Sequence, residues 1–303
     1  MKLRIEKSGF HYFDRKTGLH FLLDEINPPT GKISISPRTF SIAITNDCNA
    51  NCPFCHVPKG FDYLEKDFIV DFCKKIDELG CLDIAIGGGE PLLHPEIVEI
   101  CKSIWTETNL GISITSNGQL LTDSLIEDLS ENISFIRISI DSINSETYRE
   151  IRNYDLDDIK QNLLKLKDKI PFGINMVVSS KTISELDKML DFAREIGAGE
   201  LLLLPMINDG QILLNEFELK CLETWINLNY EKFPIRILEQ ARKRINIPIL
   251  FENDDYYSDY LYLSATKNIQ NNSYESNGMK TTICDIENNL MKWKNESTVC
   301  NKL

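Results

Sequence analysis

The sequence predicts an α/β fold built on parallel strands joined by helical crossovers. Two observations carry this. From Arg38 to Pro205, short apolar runs alternate with amphipathic stretches every thirty to forty residues, the rhythm of right-handed βαβ units. Ile84-Ala85-Ile86 and Leu201 to Leu204 are apolar on both faces, as strands buried between layers should be. The length of 303 residues and the 42% hydrophobic content suffice for one large core. No apolar run approaches the ~20 residues that span a bilayer, so a soluble, cytoplasmic protein is expected.

The first 37 residues stand apart. Phe10 to Phe13 and Leu19 to Leu23 flank the loop Asp14-Arg15-Lys16-Thr17-Gly18, which reads as a hairpin. Asn27-Pro28-Pro29 then breaks the chain. The predicted strands that follow are Phe40 to Thr45, Leu82 to Ile86, Gly111 to Ser116, Phe135 to Ile140, Phe172 to Val178 and Glu200 to Leu204. Helical patterns lie at Asp67 to Leu79, Pro95 to Glu107, Asp123 to Ser130, Asp157 to Lys169 and Ile183 to Ile196. Six such units form either an open doubly wound sheet or a partial barrel. After Leu204 the rhythm weakens: a helix is expected over Phe217 to Tyr230, short strands at Ile235 to Leu238 and Ile249 to Phe251, and a last helix from Cys284 to Lys294. The expected organisation is a hairpin extension over 1–37, a core over 38–205, and barrel completion with a small subdomain over 206–303.

The charge balance of 33 basic against 46 acidic residues, net −13, argues against binding a nucleic-acid backbone. The only dense basic run, Arg242-Lys243-Arg244, reads as a solvated helix face. Nine cysteines with no secretory signal point to free thiols in a reducing compartment rather than to a disulfide framework.

Ligands of parallel α/β folds sit beyond the carboxyl ends of the strands. The first predicted strand runs into Cys48-x3-Cys52-x2-Cys55. Three thiolates on one loop can hold three irons of a cubane cluster and leave the fourth open. Zinc bound by these thiols and His56 is the alternative, although adjacent Cys55 and His56 cannot easily face one tetrahedral ion. The second strand ends in Gly87-Gly88-Gly89-Glu90-Pro91, the third in Thr115-Ser116-Asn117-Gly118 and the fourth in Ser139-Ile140-Asp141-Ser142. Glycines let backbone approach a ligand closely. Ser139 and Asp141 share a strand parity.

With these residues the chain resembles the radical S-adenosylmethionine (radical SAM) superfamily, over roughly residues 38 to 205. The texture of Gly-Gly-Glu-Pro-Leu-Leu, Ser-Asn-Gly and Ser-Ile-Asp-Ser is similar to the branch of molybdenum-cofactor and peptide-modifying enzymes. The resemblance implies a partial (β/α)6 TIM-type barrel and one [4Fe-4S] cluster on Cys48, Cys52 and Cys55. S-adenosylmethionine would chelate the open iron. It further implies that Gly88, Gly89 and Glu90 hold the methionyl amino group and that Phe54 lies beside the adenine. Ser116, Asn117, Ser139 and Asp141 would be ribose or carboxylate partners, and Arg152 would neutralise the methionyl carboxylate. The implied chemistry is reductive cleavage of S-adenosylmethionine and hydrogen abstraction by the resulting 5′-deoxyadenosyl radical, in a mostly apolar cavity. Electrons would come from a flavodoxin- or ferredoxin-type donor.

Peptide maturases of this branch carry a cysteine-rich C-terminal domain with extra clusters. Beyond the loop this chain has Cys73, Cys81, Cys101, Cys221, Cys284 and Cys300, with no second tight set, so a single cluster is expected. Cys284 or Cys300 is a candidate hydrogen donor. The expected substrate is a ribosomally made peptide, suggested by the Ser-Ile-Asp-Ser texture and by an acidic surface suited to a basic leader. A small molecule of cofactor or natural-product biosynthesis is the alternative, and a non-catalytic iron–sulfur sensor is the alternative of another class.

Overall fold

A computed structural model of the chain describes residues 1–24, 26–208, 210–238, 241, 244–248, 260–275 and 277–300, apart from the side chains of Thr30 and 296–300. Ile249 to Phe251, Arg242, Lys243 and the Cys300 side chain lie outside the described residues.

The N-terminal piece is a sheet of three strands, not a hairpin of two: β1 (Lys2–Ile5), β2 (Phe10–Asp14) and β3 (Leu19–Leu23) pair antiparallel. β1 is only four residues long, too short for its alternation to register. The sheet lies under the N-terminal ends of the barrel strands. There the Arg4 guanidinium donates to the carbonyls of Ser36 and Gly80, both at 2.7 Å. The Phe13 ring fills the space above Gly111, where an added Cβ would come within 2.8 Å of it.

All six predicted core strands form: β4 (Thr39–Thr45), β5 (Asp83–Gly88), β6 (Gly111–Ser116), β7 (Phe135–Ser139), β8 (Phe172–Val178) and β9 (Leu201–Pro205). They lie side by side in chain order, each parallel to the next. After a two-stranded ribbon of β10 (Ile207–Asn208) and β11 (Gln211–Ile212), β12 (Ile235–Ile237) pairs parallel with β9. β13 (Tyr260–Leu263) pairs parallel with β4 at the other flank, followed by antiparallel β14 (Asn268–Gln270) and β15 (Met279–Lys280). The residues after 205 thus extend both flanks of the six strands. Nothing pairs β12 with β15 among the described residues, so the barrel is partial.

The crossovers are α1 (Lys66–Glu78), α2 (Ile97–Glu107), α3 (Asp123–Ser130), α4 (Ser145–Arg152), α5 (Leu156–Leu166) and α6 (Leu186–Ile196). α7 (Glu216–Asn229) and α8 (Ile286–Cys300) follow. α4 buries only Tyr148 and Ile151, too few apolar side chains for a helical period to show in the sequence; it is framed by asparagines instead. The Asn144 side chain accepts from the N–H groups of Glu146 and Thr147, and Asn153 ends the helix in the left-handed conformation.

Strand residues divide cleanly between two faces. Ile42, Ile84, Ile112, Ile136 and Ile174 are wholly buried together with the apolar faces of the helices. The rings of Phe40 on β4 and Phe72 on α1 meet edge to face at 5.2 Å. The opposite, inner face carries Ser41, Ser113, Thr115, Arg137, Ser139 and Asn175. The same face also carries Ala43, Ala85, Phe135, Val177, Leu202 and Leu204, so the lining mixes polar and apolar side chains. Few strands are apolar on both faces, because the inner face lines a space and not a second helical layer.

Candidate active site

Two loops define the C-terminal rim and are interlocked through backbone. The cysteine loop leaves β4 and returns beside it: Asn46 N–H donates to Asp62 O and Leu64 N–H to Ile44 O, both at 2.8 Å. The glycine turn after β5 then tucks under its start. Gly89 N–H donates to Thr45 O at 2.7 Å and Glu90 N–H to Asp47 O at 2.8 Å. An added Cβ on Gly88 would sit 2.3 Å from Thr45 O, and one on Gly89 would sit 2.1 Å from Asp47 O. Gly88 also has a φ of +114°, open to glycine and strained for other residues. Gly87 has no atom within 4 Å of where a Cβ would be, so backbone there borders open space.

Cys48 and Cys52 are half-buried and Cys55 is exposed. Cys55 N–H donates to Cys52 O at 3.1 Å, and Ala50 N–H points at Cys48 Sγ at 3.4 Å. Burial pushes both the Cys48 and Cys52 thiols up. Among the described residues no three His, Cys, Asp or Glu side chains converge on a single metal ion. The His56 ring instead packs on Tyr274 with centroids 4.3 Å apart. With His56 stacked on Tyr274, the donor set is three thiols on one loop above a glycine cradle, which fits a cluster with one iron left open.

Glu90 is 1% exposed. Its Oε1 accepts from Ser116 Oγ at 2.8 Å and Leu92 N–H at 3.1 Å, and its Oε2 accepts from Asn117 N–H at 2.7 Å. Burial pushes its carboxyl up despite these donors. Ser116 and Asn117 are thus engaged in holding Glu90, and the Asn117 amide also donates to Asn49 Oδ1 of the cysteine loop at 2.7 Å.

Asp141 and Arg152, which the sequence offered separately, meet in one buried ion pair. Arg152 Nε donates to Asp141 Oδ2 at 2.6 Å, and Val177 N–H donates to Asp141 Oδ1 at 3.0 Å. Burial disfavours the Arg152 charge, but Asp141 more than restores it. The guanidinium lies 5.9 Å from the centroid of the Phe54 ring, which brings α4 to the cysteine loop. Ser139 is half-buried on the inner face next to Asn175. The Asn175 Oδ1 is buried without a hydrogen-bond partner. Sequence reasoning assigned Asn175 no role, although its parity on the fifth strand placed it inward.

Further down the inner face, Arg137 Nε donates to Glu200 Oε1 at 2.6 Å and Arg236 Nη1 lies 3.6 Å from Glu200 Oε2. Neither pairing was legible in the sequence. Cys284 is exposed on a turn over Ile283–Asp285 that packs against α1, on the helical side of the sheet and not in the interior. Cys73, Cys81 and Cys101 are wholly buried, with burial pushing the Cys81 and Cys101 thiols up to about 12, as expected of packing thiols.

A parallel partial barrel with a three-cysteine loop and a glycine cradle at its C-terminal rim is the architecture of an iron–sulfur enzyme that binds a small cofactor beside its cluster. The chain belongs to the radical SAM superfamily, whose family profile matches residues 42–193, about half of its length. Its cofactors are accordingly a [4Fe-4S] cluster and S-adenosylmethionine. Among its relatives is a probable GTP 3′,8-cyclase of Methanocaldococcus jannaschii, 34% identical over 53% of this chain and 56% of the relative. The match thus spans little more than half of that protein. A second, of Methanothermobacter thermautotrophicus, is 32% identical over 68% of this chain and 71% of the relative. In fold the chain is similar to Streptococcus suis SuiB bound to S-adenosylmethionine. The TM-score is 0.74 at 14% identity, over 92% of this chain and 84% of the other. No helix among the described residues is long and apolar enough to cross a membrane.

Proposed function

We propose that this radical SAM enzyme holds its single cluster on Cys48, Cys52 and Cys55 and modifies a ribosomally made peptide by hydrogen abstraction. When bound, the cluster and S-adenosylmethionine supply the electron transfer and the nucleoside radical that attacks a substrate C–H bond. The chain's own residues bind and orient. The Gly87–Gly89 backbone borders the space for the methionyl group, and Glu90, fastened by Ser116 and Asn117, sets its polar end. Phe54 offers a ring to the adenine, and Ser139 offers a hydroxyl to the ribose. The Asp141–Arg152 pair fixes the position of the guanidinium beside Phe54, where it would neutralise the methionyl carboxylate of bound S-adenosylmethionine.

The observation that carries the peptide reading is the charge of the interior. Among the described residues, the basic side chains at inward strand positions are Arg137 and Arg236, and both are paired with Glu200. A nucleoside triphosphate needs several unspent cations; a peptide segment needs hydrogen bonds and room, which Ser41, Ser113, Thr115, Ser139 and Asn175 supply. The competing small-molecule reading draws on the sequence likeness to proteins named GTP 3′,8-cyclases. The anaerobically reconstituted enzyme, given S-adenosylmethionine, a flavodoxin- or ferredoxin-type donor and a short peptide encoded beside its gene, should form 5′-deoxyadenosine and shift the peptide's mass. Conversion of GTP with an unaltered peptide would overturn the peptide reading and leave the enzyme class standing.

A further inference from the structure

Tyr148 on α4 is wholly buried, and its hydroxyl has no hydrogen-bond partner among the described residues. A buried hydroxyl left unpaired costs free energy that a phenylalanine filling the same space would not. Such an atom therefore points to a group that completes it. The ring is held in place, because the start of its helix is fastened. Tyr148 N–H donates to Asn144 O at 2.8 Å. Just before the helix, Glu185 Oε2 accepts from Ser142 Oγ at 2.7 Å and from Ile143 N–H at 3.0 Å.

The surroundings identify the missing partner. Arg152 lies one turn further along the same face of α4. The charges that act on the Tyr148 hydroxyl are those of Arg152, Asp141, Cys52 and Tyr154, and Arg152 and Asp141 act in turn on the Cys52 thiol. Burial pushes the phenol up, so it keeps its proton and is available as a donor. A guanidinium cannot accept that proton. Asp141 already has a donor on each oxygen, Arg152 Nε at 2.6 Å and Val177 N–H at 3.0 Å. Cys52 Sγ receives no hydrogen bond among the described residues, whereas Ala50 N–H points at Cys48 Sγ at 3.4 Å. Of the four neighbours, only Cys52 gains negative charge when a metal binds, because the ligating form is the thiolate.

We propose that the Tyr148 hydroxyl donates a hydrogen bond to the Cys52 thiolate of the cluster-bound enzyme. It rests on the reading of Cys52 as a cluster ligand. Tyr148 is then a positioning residue that acts through that ligand and sets how readily the cluster accepts an electron. Reduction adds negative charge at the sulfurs, and a donor placed there stabilises the reduced state. The rest of the site works against that charge, since Cys48 and Cys52 are half-buried and feel the carboxylates of Glu90 and Asp141 respectively. A hydroxyl donor at Cys52 offsets this and keeps reduction within reach of a flavodoxin- or ferredoxin-type donor.

The test is an anaerobic redox titration of the reconstituted holoprotein without S-adenosylmethionine, followed by electron paramagnetic resonance. Tyr148→Phe removes the hydroxyl, keeps the ring and should hold the same iron. It should lower the equilibrium constant for cluster reduction about tenfold, a midpoint about 59 mV more negative for one electron. Ile151→Val trims the other buried side chain of the same helix and leaves the hydroxyl, so its midpoint should match the native one. A merely structural role for Tyr148 would move both midpoints or neither. In the native enzyme, electron–nuclear double resonance of the reduced cluster should show a strongly coupled proton that exchanges in D2O and is missing from Tyr148→Phe. Its absence from the native enzyme overturns the proposal without any variant. An unchanged midpoint in Tyr148→Phe overturns it too, and weakened S-adenosylmethionine binding in that variant would then assign the hydroxyl to the methionyl carboxylate. A native protein that holds no iron is a different result, which overturns the cluster reading as well.

Discussion

At the N-terminal ends of the barrel strands, Glu6 accepts from Arg4 Nε at 2.7 Å and from Arg38 Nε at 2.9 Å. At the C-terminal ends of the same strands, Glu90 is held by neutral donors only, the Ser116 hydroxyl and the N–H groups of Asn117 and Leu92. Burial alone would raise both carboxyls. At Glu6 the His11 ring, 3.5 Å away, and the charges of Arg4 and Arg38 more than offset it, holding the group well below the usual carboxylate range; at Glu90 burial wins. The lower rim is thus a neutralised fastening that ties the N-terminal sheet to the strands. The upper rim keeps polar capacity and exposed thiols in reserve for a ligand. The division follows the general habit of such barrels, stability below and chemistry above, and each end supplies a way to break it.

The largest contrast is between cysteines. Cys52→Ala should abolish both iron binding and 5′-deoxyadenosine formation. Cys101→Ala, which alters a wholly buried packing thiol, should keep both and cost about 1 kcal/mol of stability. Iron analysis and product chromatography on the two variants decide it, and iron retained without Cys52 would end the comparison. Next comes Glu6→Ala, which leaves Arg4 and Arg38 without their shared carboxylate and should cost about 3–5 kcal/mol in denaturant titration while iron per folded protein stays constant. Gly89→Ala should have the opposite profile. Its Cβ would crowd Asp47 O of the cysteine loop, so about 1–3 kcal/mol is lost together with much of the bound iron.

Acid sharpens the comparison further. Because the folded-state value of Glu6 is lowered, its stabilisation is complete above the unfolded value of about 4.3 and is lost as pH falls below it. Glu90, whose value is raised, works the other way: its contribution is present at low pH and fades as pH rises through its folded value. Glu6→Gln should therefore flatten the acid limb of the stability curve and Glu90→Gln should not, as denaturant midpoints between about pH 3 and pH 7 will show. At the small end, breaking the Lys181–Glu150 pair at 3.2 Å, exposed on both sides, should be undetectable.

The rim chemistry was legible in the sequence to the extent that it is local. Cys48, Cys52 and Cys55 share one loop, Gly88 to Glu90 share one turn, and each follows an apolar strand whose end marks where ligands gather. The pairings were not legible, since Asp141 with Arg152, Ser116 with Glu90, and Arg137 with Glu200 depend on how neighbouring strands stagger and where the crossovers set down. Ser116 and Asn117 illustrate the limit: read as free polar groups for a ligand, they are partly consumed in fastening Glu90. β1 escaped notice because four residues hold too few repeats of the strand period, and α4 because its only buried side chains, Tyr148 and Ile151, are too few to show a helical period.

By itself the sequence determined the parallel α/β order, the three-thiol loop and the glycine turn, because apolar periodicity and contiguous motifs are short-range properties of the chain. Only the tertiary structure decided that β12 and β15 do not pair with each other among the described residues, that the inner face mixes polar with apolar side chains, and which charges neutralise one another. Those outcomes arise where residues distant in sequence are brought together, and there burial and partner choice set each group's charge and reactivity.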